Sequence, residues 1–366
     1  MKYPLIKTML FAALCIFSFF SCKKTLQNSN FKEDKKENSS AALPLKPIEI
    51  SGLNFVAPPE PFSTNPMSEV QNVGAQWIAV IPYAYTMPND TRVHYNESKN
   101  WQWYGEKPEG VNETIRLAHE ANIKVMLKPQ VYCPQSWTGA LDFDNDKKWE
   151  EWEADYEKYI MIFAQIAKNQ KVEMLCIGTE FKLSVVKREK FWRKLIEKIR
   201  IIYPGKLTYA ANWDEYPNVP FWDALDFAGV NAYFPLTNEK TPSVENLQKS
   251  WKQPLSALQN FYDKTKKPII FTEYGYLSVD GCAYMGWELE KKINELPINQ
   301  QAQANAIEGL LSTFSQQTWW KGGFLWKWFP NMKGHEGYPD KDYTPQGKIA
   351  QDVLKKYYFS LHQTNH

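Results

Sequence analysis

Short apolar runs alternate with amphipathic stretches along most of this chain, and each apolar run has a length typical of a strand buried on both faces. The predicted strands are Ile50–Phe55, Trp77–Tyr83, Lys124–Pro129, Val172–Thr179, Leu207–Asn212, Phe227–Tyr233, Pro268–Glu273 and Gly323–Trp328. Between these strands, aromatic and aliphatic residues recur every three or four positions, as amphipathic helices require. Two such series are Trp152, Tyr156, Tyr159, Phe163, Ile166 and Trp192, Leu195, Ile199, Ile202.

The alternation of strand and helix predicts an α/β fold with parallel strands. Eight strand–helix pairs predict a single (β/α)8 TIM barrel, which we place at residues 48–360. A doubly wound sheet is the main alternative, but it usually carries a glycine-rich phosphate-binding turn after its first strand. The residues after Phe55 are Val-Ala-Pro-Pro, which form no such turn, so the barrel is preferred.

The N-terminal residues predict export rather than a folded element. Residues 1–21 contain two lysines and then an apolar run that is too short to span a membrane, as in a secretory signal. The Ser-Cys junction resembles a bacterial lipobox, so we expect Cys22 to become the lipidated first residue; an ordinary cleaved signal is the alternative. Residues 22–47 are polar and charged, as expected of a flexible tether. We therefore expect a lipid-anchored exported protein, at the outer membrane or cell surface of a bacterium rather than the inner membrane.

The composition of the chain argues against several classes of function. A net charge of +2 and the lack of a basic stripe argue against a nucleic-acid partner. Five scattered histidines show no metal-ligand spacing, so we expect no metal and no cofactor. A disulfide between Cys133 and Cys282 is conceivable, whereas Cys176 lies inside a predicted strand. The 15 Trp, 20 Tyr and 20 Phe exceed the needs of a core, and a surplus in a cleft would suit the flat faces of sugar rings.

Two glutamates, Glu180 and Glu273, stand where predicted strands end, and the carboxyl ends of barrel strands form the catalytic face. Strand alternation predicts two inward-facing series, Met174, Cys176, Gly178, Glu180 and Ile269, Phe271, Glu273. Two carboxyl groups that face one cleft are the minimal machinery for breaking a glycosidic bond. Either glutamate alone could equally cap a loop or pair with a lysine, so the pair carries the prediction.

Polar and aromatic residues recur at or near most other predicted strand ends, including Tyr83 and Gln130. The candidate substrate-binding residues are Asn54, Lys128, Trp137, Asn212, Trp213, Asn231, Tyr233, Trp326 and Trp328. Amides that bind hydroxyl groups beside flat aromatic surfaces are typical of carbohydrate sites. The longest strand-to-helix connection, Met87–Gly110, would lie on the catalytic face as a cleft wall or as a structural flap.

Several of these segments, taken in order, resemble glycoside hydrolase family 113, which belongs to a clan of retaining (β/α)8 glycosidases. The matching segments are Gly52–Phe55, Val125–Gln130, Gly178–Phe181, Asp226–Pro235, Thr272–Tyr276, Trp326 and Tyr343–Lys348. The resemblance implies an endo-β-1,4-mannanase that acts on mannan or glucomannan by double displacement. It implies Glu180 as acid/base and Glu273 as nucleophile. Most clan members have Asn immediately before the acid/base residue, whereas this chain has Thr179 at that position. Adaptation to the axial 2-hydroxyl of mannose would explain the difference.

Two other functions stay open. One is another retaining β-glycosidase of the clan that cuts glucans, galactans or oligosaccharides. The other is a non-catalytic glycan-binding lipoprotein, although a binding protein has no need of both glutamates. In every case the expected partner is a polysaccharide or oligosaccharide, the membrane is contacted only through the N-terminal lipid, and the protein is expected to be a monomer.

Overall fold

Eight parallel strands close into a barrel in the computed structural model, which describes residues 48–95, 102–134 and 136–362. The strands are β1 (Ile50–Phe55), β2 (Trp77–Val80), β3 (Tyr83–Tyr85), β4 (Lys124–Leu127), β5 (Gln130–Tyr132), β6 (Met174–Thr179), β7 (Lys206–Asn212), β8 (Ala228–Asn231), β9 (Ile269–Tyr274) and β10 (Trp320–Trp328). The order around the barrel is β1-β10-β9-β8-β7-β6-β4-β2. The (β/α)8 TIM barrel is therefore confirmed.

The second predicted strand is divided in two, and the third ends two residues early and is followed by a separate short strand. β2 and β4 end at Val80 and Leu127, and the chain then forms β3 and β5, which pair with each other in parallel outside the barrel. Pro82 and Pro129 stand at the two breaks, and proline cannot donate a ladder hydrogen bond. This small sheet extends one side of the barrel mouth.

Helices surround the barrel. They are α1 (Met67–Gln71), α2 (Pro108–Glu120), α3 (Asp146–Asn169), α4 (Lys182–Lys187), α5 (Glu189–Ile202), α6 (Val244–Thr265), α7 (Gly286–Glu290), α8 (Gln300–Phe314) and α9 (Ile349–Tyr358). The side chain of Asn145 caps α3 by accepting a bond from the Lys148 amide at 3.0 Å, and α5 ends before Pro204. Both predicted helical series lie on these two helices, and all of their residues except Ile202 are buried.

The apolar residues form two layers. A small cluster fills the barrel interior and consists of Ile50, Trp77, Ala79, Ile81, Met126, Met174, Cys176, Ala210, Ile270 and Phe324. A much larger layer lies between the strands and the helices and holds most of the buried aromatic rings. There Tyr156 stacks on Trp152 with ring centroids 4.9 Å apart. Most of the aromatic content is thus core, as packing of helices onto a barrel requires.

The strand that precedes Glu180 follows the predicted alternation only at first. Met174 and Cys176 lie in the barrel interior, as expected. The pairing with β7 then moves from Cys176–Thr208 to Thr179–Ala210, so β6 contains one extra residue. A side chain at Gly178 would meet the Trp192 ring at 2.9 Å, in the outer layer. The predicted inward position of Gly178 is therefore wrong, because a bulge interrupts the alternation.

The strand that carries Glu273 has the opposite alternation to the predicted one. Ile270 lies in the barrel interior, whereas Ile269 and Phe271 belong to the outer layer. The pairing with β8 moves from Val230–Phe271 to Asn231–Glu273, which leaves Thr272 as an extra residue on β9. This bulge reverses the side of the strand on which Glu273 emerges. Glu273 lies at the mouth as predicted, but the bulge brings it there and not the regular alternation of the strand.

The described residues include the three cysteines of the domain and do not include the predicted N-terminal features. Cys133, Cys176 and Cys282 are buried free thiols, so Cys133 and Cys282 are not paired. Among the residues described, no helix is long and apolar enough to cross a membrane. The predicted signal at 1–21, the tether at 22–47 and the lipidated Cys22 lie outside the described residues.

Candidate active site

Glu273 accepts hydrogen bonds on both carboxylate oxygens at the end of β9. Gln130 donates to Oε1 at 3.0 Å, and the ammonium of Lys128 forms an ion pair with the same oxygen. The hydroxyl of Tyr233 donates to Oε2 at 2.9 Å. The side chain is 7% exposed, so these partners replace most of its water. Together they stabilise the negative charge of the carboxylate.

Lys128 and Asn54 support Glu273 from beneath rather than facing a substrate. Asn54 donates to the carbonyl oxygens of Thr272 and Phe324 at 3.1 and 3.0 Å, and its Oδ1 accepts from Lys128 Nζ at 3.3 Å. Neither Lys128 nor Asn54 has exposed surface. Their predicted role in substrate binding is therefore corrected to positioning, because a ligand in the cleft cannot reach them.

Glu180 lies just past β6 with both carboxylate oxygens bonded. Asn231 Nδ2 donates to Oε1 at 2.9 Å, and Trp137 Nε1 donates to Oε2 at 2.8 Å. Asn231 is buried at the end of β8, whereas 38% of Trp137 is exposed at the mouth. Both residues were predicted to bind substrate, and both contact Glu180 in the structure. The side chain of Trp137 is the one of the two that a ligand could also touch.

A hydrogen-bond link connects the two glutamates. The hydroxyl of Thr272, the residue before Glu273, donates to Asn231 Oδ1 at 2.8 Å. Asn231 in turn donates to Glu180. The bulge residue on β9 therefore fixes the amide that orients Glu180, and the two carboxyl groups are held relative to one another by buried contacts.

The surroundings of Glu180 favour its protonated form. Burial raises the pKa of Glu180, and the negative charge of Glu273 raises it further. The bonds from Asn231 and Trp137 and the charge of Lys128 act in the opposite direction without cancelling the effect. One carboxylate that is stabilised as an anion beside one carboxyl group whose pKa is raised is the arrangement that acid catalysis with a nucleophile requires.

Aromatic side chains form the walls of the cleft. A cavity of about 200 Å³ contains both glutamates and is lined also by Tyr83, Gln130, Tyr132, Trp137, Thr179 and Trp326. A second cavity of about 430 Å³ shares Tyr83, Tyr132 and Trp326 with the first and extends to Trp103, Glu106 and Glu336. The described part of the Met87–Gly110 connection, through Trp103 and Glu106, is thus a cleft wall. Trp326 is half-buried between the two cavities, and its peptide bond to Lys327 is cis.

Three predicted residues have other surroundings. Trp328 is 2% exposed and belongs to the outer layer of the core, so the prediction that it binds substrate is wrong. Asn212 accepts a bond from the Trp213 amide at 2.8 Å. The half-buried Trp213 stacks on Trp287 at 6.3 Å near the end of β7. Asn212 and Trp213 therefore lie at the carboxyl end of β7, and Trp213 contacts the rings of Phe234 and Trp287 rather than the cavity that contains the two glutamates.

The model for Glycoside Hydrolase Family 113 matches residues 59–348. The chain belongs to glycoside hydrolase family 113. The resemblance of its strand-end segments to this family is confirmed, and the protein is a glycosidase built on a (β/α)8 barrel. No curated protein matches the chain.

Solved structures agree with membership of family 113. Two structures of a GH113 β-1,4-mannanase, one of them a complex, are 28% identical to the chain, with a TM-score of 0.72. The alignment covers 85% of this chain and 99% of theirs. A GH113 β-mannanase from Alicyclobacillus acidocaldarius in complex with ManMIm is 24% identical, with a TM-score of 0.71 over 85% of this chain and 97% of its own. The latter likeness concerns the fold alone.

Two residues that the sequence does not single out, Tyr209 and Glu215, lie directly behind Glu180. The Tyr209 hydroxyl is 2.6 Å from the Phe181 amide nitrogen and 2.6 Å from Glu215 Oε1. From the sequence, Tyr209 is predicted to be an ordinary strand residue with an apolar ring, and Glu215 lies in a turn after Asn212. Neither position carries a spacing that would single it out, so these contacts could be found only from the fold.

Proposed function

We propose that this family 113 glycosidase is a retaining endo-β-1,4-mannanase that acts on mannan or glucomannan, with Glu273 as nucleophile and Glu180 as acid/base. The observation that carries the proposal is the difference between the two glutamates of one cleft. Glu273 is paired with an ammonium group and hydrogen-bond donors, whereas the pKa of Glu180 is raised. The β-1,4-mannanase activity named for the relatives at 28% identity supports the choice of substrate.

In the first step, Glu273 attacks the anomeric carbon while Glu180 gives its proton to the departing glycosidic oxygen. The bond between that oxygen and the anomeric carbon breaks, and a glycosyl ester of Glu273 forms. In the second step, the now ionised Glu180 takes a proton from water, which attacks the same carbon and releases Glu273. Two inversions leave the configuration unchanged.

The nucleophile assignment is tested with Glu273→Gln and an activated fluoro-sugar. The wild-type enzyme should form a covalent adduct, and peptide mass spectrometry should locate it on Glu273. The variant should form none, because an amide is a poor nucleophile. An adduct on another residue, or turnover retained in the variant, would refute the assignment.

The substrate assignment is tested by product analysis on mannan, glucomannan, cellulose and galactan. Internal cleavage of mannan with mixed oligosaccharide products supports the proposal. Preference for another glycan would instead favour a different retaining β-glycosidase of the clan. Binding of a glycan without any product would favour the non-catalytic alternative.

We also propose that the enzyme is exported and anchored by lipid at Cys22, with residues 22–47 as the tether. The support is the N-terminal sequence, since these residues lie outside the described ones. Metabolic labelling with a fatty-acid analogue should mark the wild-type protein and not Cys22→Ala. Equal labelling of both proteins would contradict the anchor.

A further inference from the structure

A buried pair of side chains behind the cleft holds the backbone that carries Glu180. We propose that Tyr209 and Glu215 are positioning residues that fix Glu180 in the conformation in which it can deliver its proton. The inference rests on the proposed acid/base role of Glu180 and adds two residues that do not touch the substrate.

The pair acts on the peptide that follows Glu180. The Phe181 amide donates to the Tyr209 hydroxyl at 2.6 Å, and that hydroxyl donates to Glu215 Oε1 at 2.6 Å. The other oxygen of Glu215 accepts from the Asn212 amide at 2.9 Å. Tyr209 has no exposed surface and Glu215 is 1% exposed, so water cannot replace either partner.

The backbone of Glu180 needs such support. Its φ is 57°, in the left-handed region that residues other than glycine adopt rarely. Such conformations persist where the surroundings over-determine them, and they cluster at functional sites. The Glu180 amide donates to the Ala210 carbonyl at 2.9 Å, so the peptide before Glu180 and the peptide after it are both tied to β7. Without the Tyr209 hydroxyl, only the first of these ties remains.

Glu215 suits this role because each of its two carboxyl oxygens accepts one bond, from Tyr209 and from the Asn212 amide. Burial raises the pKa of Glu215 to about 8, although these two bonds oppose the shift. The charged and titratable groups around Glu180 are Glu273, Lys128, Tyr233 and Glu215.

Tyr209→Phe removes the acceptor of the Phe181 amide and keeps the ring that packs on Trp192 at 5.6 Å. We expect the Glu180 side chain to move toward water, which weakens the two effects that raise its pKa. NMR titration of selectively labelled glutamate carboxyl carbons, assigned with Glu180→Gln, should therefore show a lower pKa for Glu180 in the variant. This measurement needs no substrate, so it is independent of whether mannan is the right glycan.

Kinetics give a second readout. Tyr209→Phe should lower the rate on mannan by about tenfold, a part of what general acid catalysis contributes. Glycosylation by an aryl glycoside with a good leaving group should change by less than about threefold, because this step needs no proton. Glu215→Gln should act in the same direction, since its amide cannot accept from both Tyr209 and Asn212. Glu215→Gln keeps the size of the side chain, so it replaces Tyr209→Phe in both measurements if that variant folds poorly.

Tyr203→Phe is the matched control. Tyr203 is also a buried tyrosine, and its hydroxyl donates to the Val172 carbonyl at 2.8 Å, at the opposite end of the barrel from the glutamates. This variant should lose stability but keep the Glu180 pKa and the ratio of the two rates. If Tyr209→Phe and Glu215→Gln behave like Tyr203→Phe in both readouts, the positioning role is refuted. If the Glu180 pKa falls while mannan is not cleaved, the positioning role holds and the proposed substrate fails.

Discussion

Replacing Lys128 by methionine tests whether a buried ammonium group keeps Glu273 ready for nucleophilic attack. Lys128 has no exposed surface, Glu273 is 7% exposed, and the two groups form an ion pair. Methionine has a similar length and no charge, so the variant leaves a carboxylate that is buried with only neutral donors. Glycosyl-enzyme formation should therefore slow, because the ammonium group no longer stabilises and holds the carboxylate that attacks.

The magnitude follows from the burial of the pair. Removal of one partner of a buried ion pair costs about 3–5 kcal/mol, and each 1.36 kcal/mol in a barrier corresponds to about tenfold in rate. The bonds from Gln130 and Tyr233 remain and stabilise part of the charge. We therefore expect glycosyl-enzyme formation to slow by about ten- to a hundredfold, which is less than the full cost would give.

The assay is single-turnover formation of the glycosyl-enzyme with an activated substrate over a range of pH, which isolates the step that Glu273 performs. Lys348→Met is the control, since Lys348 is also buried and bonds Ser278 Oγ at 2.8 Å and the Asp342 carbonyl at 2.7 Å. Its loss should affect melting temperature without slowing this step. An unchanged rate of glycosyl-enzyme formation in a folded Lys128→Met enzyme would show that the ammonium group does not prepare Glu273 for attack.

Three further predictions address other parts of the site. Glu180→Ala should slow mannan hydrolysis by about 10²–10⁴-fold yet spare glycosylation by activated aryl glycosides. Azide should restore deglycosylation. An equal loss of rate on both substrates would contradict the acid role. Trp326→Ala should lower kcat/KM on mannan while the melting temperature changes little, because the ring is half-buried. A loss of about 3–5 kcal/mol in stability with unchanged kinetics would show that Trp326 is a core residue. Burial raises the pKa of Glu106 from 4.5 to about 7, so folding retains a proton that the unfolded chain releases, and stability should fall as pH rises through this interval. Glu106→Gln should therefore gain melting temperature relative to wild type between pH 5 and pH 8, and a constant difference would show that Glu106 is ionised throughout.

The hydrophobic pattern predicted the barrel well, and the reason is physical. A parallel strand buried on both faces needs a continuous apolar run, and such runs mark every strand of the barrel. The same reasoning placed Glu180 and Glu273 at the mouth, since both follow such a run directly. It failed at the second and third strands, where a proline separates the barrel strand from β3 and β5. It failed also for Trp328, because an aromatic residue at a strand end can face the helices as easily as the cleft.

The supporting contacts of the site could not be predicted in this way. Asn54 and Lys128 are polar residues at strand ends, and only their complete burial separates a positioning role from substrate binding. Tyr209 accepts from the Phe181 amide across the β6–β7 boundary and donates to Glu215, and the contact between strands depends on their register. Register is a property of the pair of strands, so a single strand's sequence does not contain it.

The direction in which the two glutamates face follows from irregularities rather than from the regular part of the barrel. In a strict alternation Glu273 would share the side of Ile269 and Phe271, and those two residues face the helices. The extra residue Thr272 turns Glu273 toward the mouth and at the same time donates to Asn231, which orients Glu180. On β6 an extra residue and a left-handed backbone bring Glu180 to the same cleft. Each bulge therefore does more than re-aim one side chain. Deleting Thr272 would place Glu273 directly after the outward-facing Phe271, where regular alternation still turns it inward, but it would remove the hydroxyl that fixes Asn231. The deletion should therefore slow mannan hydrolysis through Glu180 while glycosyl-enzyme formation with an activated aryl glycoside is retained, and loss of the latter would show that the extra residue is needed to aim Glu273.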